Sequence, residues 1–430
     1  ISFGSPYLPS YESLDAYMCA YGYGSVSLRA AANALWGRSS IVGRLPVTLS
    51  KDYGIGHGID VKSGKFSFKN SSQQYNLNTA WSVINDAISD NIFPGAQIMV
   101  VRDDEIIADK AFGRFTYDKD SPRVTSRSVY DVASITKVLS VTPVAMRLIN
   151  QNMLSLNHTL DQYYTWLRGT DKGSITIKDL LSHTSGLKPF VEFYKQDPSM
   201  ERSVIIDSIL SLDLDFLPGE KMQYSDLGII LLMDIIENIS GNSLDRLCDE
   251  WVFSRLGMSS TSYNPDLSYV DNIVPTELDS YYRNRLLVGE VHDENAFLLD
   301  GVSGHAGIFS NAADLAIYAQ LFLDEGVWLG NQLFNYNQVK DFTTRQNKLI
   351  DSDRGLGWDT PSQNGKSSAG DYFSDHSYGH LGFTGTSLWV DHPRRIIVVL
   401  LTNRVHPSRD TKGMYTVRRS FHTEIMKAIL

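Results

Sequence analysis

Between residues 78 and 112, apolar positions first recur at helical spacing and then form two short runs separated by Asp103-Asp104. The pattern predicts an amphipathic helix over 81–89 and strands over 96–102 and 105–112, joined by a hairpin turn. From Ser134 to about Asn150 the period is helical, and helical periodicity dominates as far as about Leu256. A further helix is expected around 314–322. Strand patterning returns at 387–391 and 396–402, joined by a polar His-Pro-Arg-Arg turn, and a helix over 418–430 closes the chain. Strands at both ends with helices between predict an α+β fold, an antiparallel sheet flanked by helices. An all-helical region is inserted over about 140–310. Residues 259–300 and 345–378 show no clear period, and no internal repeat is visible.

Residues 1–60 read as a separate, partial α/β unit. A strand at 1–3, a mixed helical stretch at 11–21 and an Ala-rich helix at 25–35, capped by Ser25 or Ser27, precede a turn and edge strand at 43–47. So short and polar a segment buries too little apolar surface to fold alone. Residues 61–76 are Gly-, Ser-, Lys- and Asn-rich and read as a linker, which leaves 77–430 as the main domain. The chain opens Ile-Ser-Phe-Gly without an initiator Met, a charged leader or an apolar signal core. It therefore reads as a fragment, with its upstream part and any targeting signal removed.

Composition narrows the function classes. A length of 430 residues suggests two or three domains. The net charge of −10 argues against a nucleic-acid partner, which demands a basic face. No run approaches the roughly 18 apolar residues of a membrane span. The two cysteines, Cys19 and Cys248, are expected as buried thiols, with a single inter-domain disulfide as the alternative.

Three segments carry chemistry. In Asp131-Val132-Ala133-Ser134-Ile135-Thr136-Lys137, a first helical turn places Ser134 and Lys137 on one face. A serine hydroxyl needs a base to become a nucleophile, and a lysine of lowered pKa can be that base. Ser185-Gly186-Leu187-Lys188 repeats the spacing, but its glycine and Pro189 argue against a regular helix. Next, Tyr224-Ser225-Asp226 precedes the apolar run 227–236. Tyr224 is a candidate proton relay or a structural tyrosine, one of 22, and Asp226 a candidate helix cap. Last, Gly379-His380-Leu381-Gly382-Phe383-Thr384-Gly385 leads into the strand at 387. Its glycines allow close backbone approach, and its N–H groups could join that of Ser134 in an oxyanion hole.

Taken jointly, Ser134-x-x-Lys137, Tyr224-Ser-Asp226 and His380-Leu-Gly382 resemble, in order and spacing, three motifs of one family. It comprises the serine β-lactamases, penicillin-binding D-Ala-D-Ala peptidases and related esterases, with its class C branch nearest. Leu180-Leu-Ser-His-Thr-Ser-Gly-Leu187, Phe216-Leu-Pro-Gly219, Leu256-Gly-Met258 with Thr261, and Val398-Val-Leu-Leu-Thr-Asn403 extend the likeness over about 350 residues. The resemblance implies an acyl-enzyme on Ser134, with Lys137 taking its proton and Tyr224 relaying protons to the leaving group. It further implies an oxyanion hole from the N–H groups of Ser134 and Phe383, and substrate contacts from Asp226, His380 and Gly382. No metal or other cofactor is implied.

Two departures shift the expected substrate. Asp226 stands where most β-lactamases carry Asn, and His380 where many carry Lys. A substrate carboxylate would meet a carboxylate and an imidazole, so an ester, amide or peptide is expected, with weak β-lactamase activity. A catalytically impaired penicillin-binding or sensing module is the alternative. His292, Asp293 and His305 invite a metal site, but their spacing fits no common zinc pattern, and they are expected to line the cleft instead. Within 1–60, Phe3-Gly-Ser-Pro-Tyr7, Tyr21-Gly22, 30–35 with Gly37 and Gly43-Arg-Leu-Pro-Val47 resemble the end of the C-terminal domain of family 3 glycoside hydrolases, nearest the β-N-acetylglucosaminidases. The likeness implies a parent fused to a missing N-terminal glycosidase domain, a peptidoglycan-derived substrate and a periplasmic or cell-envelope location. It implies no glycosidase activity in this chain.

Overall fold

The computed structural model describes residues 2–3, 7, 17–35, 41–59, 68–346, 352–363, 365 and 367–430. The chain divides into two units, Ile1–Ser67 and Phe68–Leu430. In the first, Ser2–Phe3 pairs in parallel with Cys19–Ala20, and Ser25–Leu35 is the Ala-rich helix. The helical stretch expected at 11–21 falls largely outside the described residues, and its end is the strand Cys19–Ala20. The edge strand expected at 43–47 is not formed. Leu45 instead exchanges backbone bonds with His57 and Gly56 across a loop, and Pro46 has no N–H to offer a ladder. Cys19 is free and half-buried, so the thiol reading is right in kind but its burial is incomplete.

The second unit is built on β1 (Lys69–Asn70), α1 (Asn78–Ser89), β2 (Gly95–Arg102), β3 (Glu105–Gly113), α2 (Thr136–Leu139), α3 (Val141–Asn150), α4 (Asp226–Ser240), α5 (Ala312–Leu323), β4 (Ser377–Leu381), β5 (Ser387–Asp391), β6 (Ile396–Thr402) and α6 (Met414–Ile429). One six-stranded sheet runs β4-β5-β6-β2-β3-β1, antiparallel except for the β1–β3 edge pair. Both residues of the Asp103-Asp104 turn have positive φ, 51° and 66°, the geometry of a tight hairpin. The linker reading ends early, because Lys69 and Asn70 pair with Glu105 and Ile106.

Strand β6 is buried throughout and β2 nearly so, which explains their unbroken apolar runs. On one face, Ala80, Ile84 and Ala87 of α1 and Val417, Phe421, Ile425 and Ile429 of α6 pack over Ile98, Val100, Val398 and Leu400. Each such large aliphatic or aromatic side chain contributes about 1.5–3 kcal/mol when fully buried. Helix α5 packs against β6 and β2. The first and last parts of the domain thus close the sheet. The region between them carries helices but is not all-helical as expected over about 140–310, because Ser262–Tyr263, Leu278–Asp279, Arg285–Leu286 and Ile308–Ser310 pair as short strands.

Two expectations are corrected near the site. The helix expected over 134–150 is broken into a 3₁₀ turn, Ala133–Ile135, then α2 and α3, with Ser140 between them at φ −118°, ψ −89°. Pro143 lies in the first turn of α3, where the N–H it lacks needs no partner. Ser140 Oγ bonds the Thr136 carbonyl at 2.7 Å. The glycine-rich stretch is itself partly strand: His380 lies in β4, opposite Leu388. A small sheet of Tyr130–Asp131, Ile308–Ser310 and Ser262–Tyr263 holds the segment before the nucleophile, drawing on a region whose sequence shows no period.

Candidate active site

Ser134 lies at the centre of the 3₁₀ turn that links the strand Tyr130–Asp131 to α2. The preceding Ala133 has φ +47°, a conformation that costs an L-residue about 1–2 kcal/mol. Asp131 holds it there: one carboxylate oxygen accepts the Ala133 N–H at 2.8 Å, the other the His292 N–H at 2.7 Å. Burial pushes the Asp131 pKa up, and these two N–H donors pull against it.

Lys137 is wholly buried, one helical step from Ser134. Its Nζ is 2.9 Å from Ser134 Oγ, 3.1 Å from the His305 carbonyl and 2.8 Å from Asp226 Oδ1. The first two are hydrogen bonds and the third is an ion pair. Burial lowers the Lys137 pKa, but Asp226 and then Tyr224 raise it, and the net shift is upward. The resting side chain is a cation donating to the serine, where sequence suggests a lysine of lowered pKa.

Tyr224 lies over Lys137, its ring centroid 4.8 Å from Nζ. Ser225 fixes it by capping α4: its Oγ accepts the Gly228 N–H and donates to the Lys188 carbonyl. The cap is therefore Ser225, and Asp226 occupies the first turn with its carboxylate turned to Lys137. His183, at φ +56°, accepts the Ser225 N–H through Nδ1 at 3.1 Å, and its ring lies 4.5 Å from that of Tyr224. Burial, then Arg354 and Lys137, lower the His183 pKa far below its usual value, so it is neutral. This is the work of the Leu180–Leu187 motif. The second Ser-x-x-Lys is not assembled, since Lys188 pairs with Asp215 at 2.9 Å and Ser185 Oγ accepts the Leu187 N–H.

The His380 Nδ1 is 2.8 Å from the Leu381 carbonyl, so Nδ1 carries the proton and Nε2 presents a lone pair. Burial, Arg354 and Lys137 hold its pKa well below the ordinary range. His380 is thus a buried neutral imidazole. The nearest cation to the Tyr224 ring besides Lys137 is Arg354, 4.8 Å from its centroid and paired with Asp359. Gly382 lies on the nucleophile turn, where a Cβ would meet the Val132 carbonyl and Thr386 Oγ1. Thr384 and Thr386 hydroxyls bond the Asp131 and Val132 carbonyls at 2.8 and 3.1 Å. These contacts bring the Phe383 backbone beside the Ser134 turn.

Ligand atoms of Asp226, Asp293 and His305 lie within 4.8 Å of one another. Each is already engaged: Asp226 by Lys137, and both His305 nitrogens by Asp293 Oδ1 at 2.8 Å and Ser303 Oγ at 2.7 Å. His292 faces Glu277 instead, at 2.8 Å. Burial alone would raise the Asp293 pKa, but His305 draws it far below the carboxylate range. The cluster forms the wall behind Lys137. Asp131, His183 and His305 lie in stretches that the sequence singles out, but their supporting roles, and Arg354 altogether, are not visible there because their partners are distant in the chain.

Residues 83–422 match the family described as Beta-lactamase. An N-acetylmuramyl-L-alanine amidase of Bacillus subtilis strain 168 is 33% identical over 350 residues, covering 73% of this chain and 78% of the relative. An Escherichia coli K12 protein provisionally named D-alanyl-D-alanine carboxypeptidase is 31% identical over 348 residues, covering 73% and 79%. In fold, the chain resembles a penicillin-binding protein homologue from Caulobacter crescentus, with a TM-score of 0.64 at 15% identity over 83% of this chain and 99% of that one. The matched length and the level of identity lead to one conclusion: the chain belongs to the beta-lactamase family of hydrolases.

Proposed function

We propose that this chain is a serine hydrolase that forms an acyl-enzyme on Ser134 with an amide or ester of a peptidoglycan-derived substrate. The observation that carries this reading is the buried Lys137 Nζ, 2.9 Å from Ser134 Oγ and 2.8 Å from Asp226. Lys137 passes one proton to Asp226 as it accepts the proton of Ser134, and Oγ bonds the substrate carbonyl carbon. The N–H groups of Ser134 and Phe383 receive the oxyanion. Collapse breaks the bond to the leaving group, which takes its proton through Tyr224, and water then releases the acyl group.

The neutral His380 supplies no fixed positive charge, and Arg354 is paired with Asp359, so a substrate carboxylate has no free cation waiting among these groups. This favours a neutral amide or ester over a β-lactam or a D-Ala-D-Ala terminus, as Asp226 and His380 imply in the sequence. The printed names of the amidase and carboxypeptidase relatives support cell-wall material as substrate. The resemblance read in residues 1–60 to the end of the C-terminal domain of family 3 glycoside hydrolases, nearest the β-N-acetylglucosaminidases, supports the same substrate and a periplasmic or cell-envelope location. The test is side-by-side hydrolysis of p-nitrophenyl esters, muramyl peptides, D-Ala-D-Ala peptides and nitrocefin by wild type and S134A. Turnover of an ester or muramyl amide, lost in S134A, is expected; turnover retained in S134A rejects the reading.

The carboxylate at 226 and the neutral imidazole at 380 also favour a second reading, a catalytically impaired penicillin-binding or sensing module that acylates once and stalls. A burst equal to the enzyme concentration without steady-state release would select it.

A further inference from the structure

Arg418, on α6, is a buried cation with an unusual set of partners. Its guanidinium donates to the Gly382 carbonyl, to the Thr386 carbonyl at 3.0 Å and to the Gly385 carbonyl at 3.3 Å. Among the described residues it forms no ion pair, and the charge that acts on it is another cation, Arg404. Burying a charge without a counter-ion is costly, and three carbonyl acceptors only partly offset it. Burial first, and then Arg404, push its pKa down to about 9, which leaves it charged at neutral pH.

The position of these bonds gives the charge a use. The Gly382 carbonyl belongs to the same peptide group as the Phe383 N–H. That peptide is trans, so its carbonyl and N–H point in opposite directions. With the carbonyl held by Arg418 and by the Gly385 N–H, the Phe383 N–H points away from α6. Among the described residues it has no hydrogen-bond acceptor. Gly382 itself lies against the Val132 carbonyl, two residues before Ser134. A cation on the oxygen side of a peptide draws electron density from its nitrogen and strengthens the N–H as a donor.

We propose that Arg418 is a positioning residue that orients and polarises the Gly382–Phe383 peptide, so that the Phe383 N–H stabilises the oxyanion of a substrate attacked by Ser134. The inference rests on the acyl-enzyme reading given above. Arg404 offers an internal comparison: its Nε donates to the Phe383 carbonyl at 2.7 Å, one peptide further on, where the N–H belongs to Thr384. Of these two arginines, Arg418 is the one that acts on the peptide beside the nucleophile, adding a charge to the neutral Gly385 N–H that donates to the same carbonyl at 3.1 Å.

The carbonyl stretch of the acyl-enzyme, read by infrared difference spectroscopy with a ¹³C=O ester, reports this polarisation directly. In R418Q the stretch is expected at higher wavenumber than in wild type. The kcat should fall about tenfold at unchanged KM, less than the 10²–10³-fold typical of deleting a donor outright. R418K, which keeps the charge, should recover part of both effects and covers the case in which R418Q does not fold. R404Q should leave the stretch in place. A wild-type frequency in R418Q, or, if only R418K folds, a wild-type frequency and kcat in R418K, overturns the proposal, as does an equal shift in R404Q. Absence of any acyl-enzyme in wild type would instead overturn the reading on which the proposal rests.

Discussion

At the scale of single residues, the substitution of a carboxylate at position 226 sets the protonation of the site. Asp226 lies 2.8 Å from a lysine whose pKa burial alone would lower. Replacing it in D226N removes the counter-ion and leaves burial in control, so the Lys137 pKa falls. The midpoint of the pH–kcat/KM profile should then move to lower pH. An unchanged midpoint would show that Lys137 does not titrate in the reaction. Ser134, Lys137 and Tyr224 are legible in the sequence because three motifs occur together in a fixed order. The supporting groups are not. Asp131 reads as an ordinary residue before the motif until His292, far along the chain, donates to its second oxygen. His183 becomes meaningful only when its Nδ1 meets Ser225.

At the scale of elements, the site depends on a strand edge pressed against a 3₁₀ turn. G382A tests that contact. A methyl group there would meet Thr386 Oγ1 and the Val132 carbonyl, so the loop must shift and carry the Phe383 N–H with it. A loss in kcat of about 10²-fold is expected, for a stability cost of roughly 1–3 kcal/mol. A fall in thermal midpoint with full kcat would mean that the N–H of Phe383 is not used. Sequence periodicity finds the long elements, α1, β2, β3, β5, β6 and α6, because each presents a continuous apolar face or run. It misses the break at Ser140, where a side-chain bond to the Thr136 carbonyl replaces helical continuity. It misses β4 as well, because Gly379 and the glycines just after the strand read as a loop until Ser387–Asp391 pairs with it.

At the scale of the whole molecule, the sheet joins both ends of the domain around buried groups that must stay in one charge state. His183, His380 and His422 all have pKa values depressed by burial, His422 to about 3. The unfolded chain therefore binds more protons than the folded one below the ordinary value of 6.5. Their contribution to stability is full above that pH and is lost as pH falls, by up to about 1.4 kcal/mol per pH unit for each histidine. Glu277, drawn down to about 2 against the cost of burial by His292 and Arg409, acts in the same direction below about 4.5. Urea unfolding from pH 7 to pH 4.5 should show a steep loss of stability, and H422Q a shallower one; equal slopes would contradict the assignment. The most direct test of the central claim is intact-protein and peptide mass spectrometry after reaction with a fluorophosphonate. One adduct is expected, on the peptide containing Ser134, and none on that peptide in S134A. Labelling of S134A at the wild-type level, or an adduct elsewhere in wild type, would contradict the account.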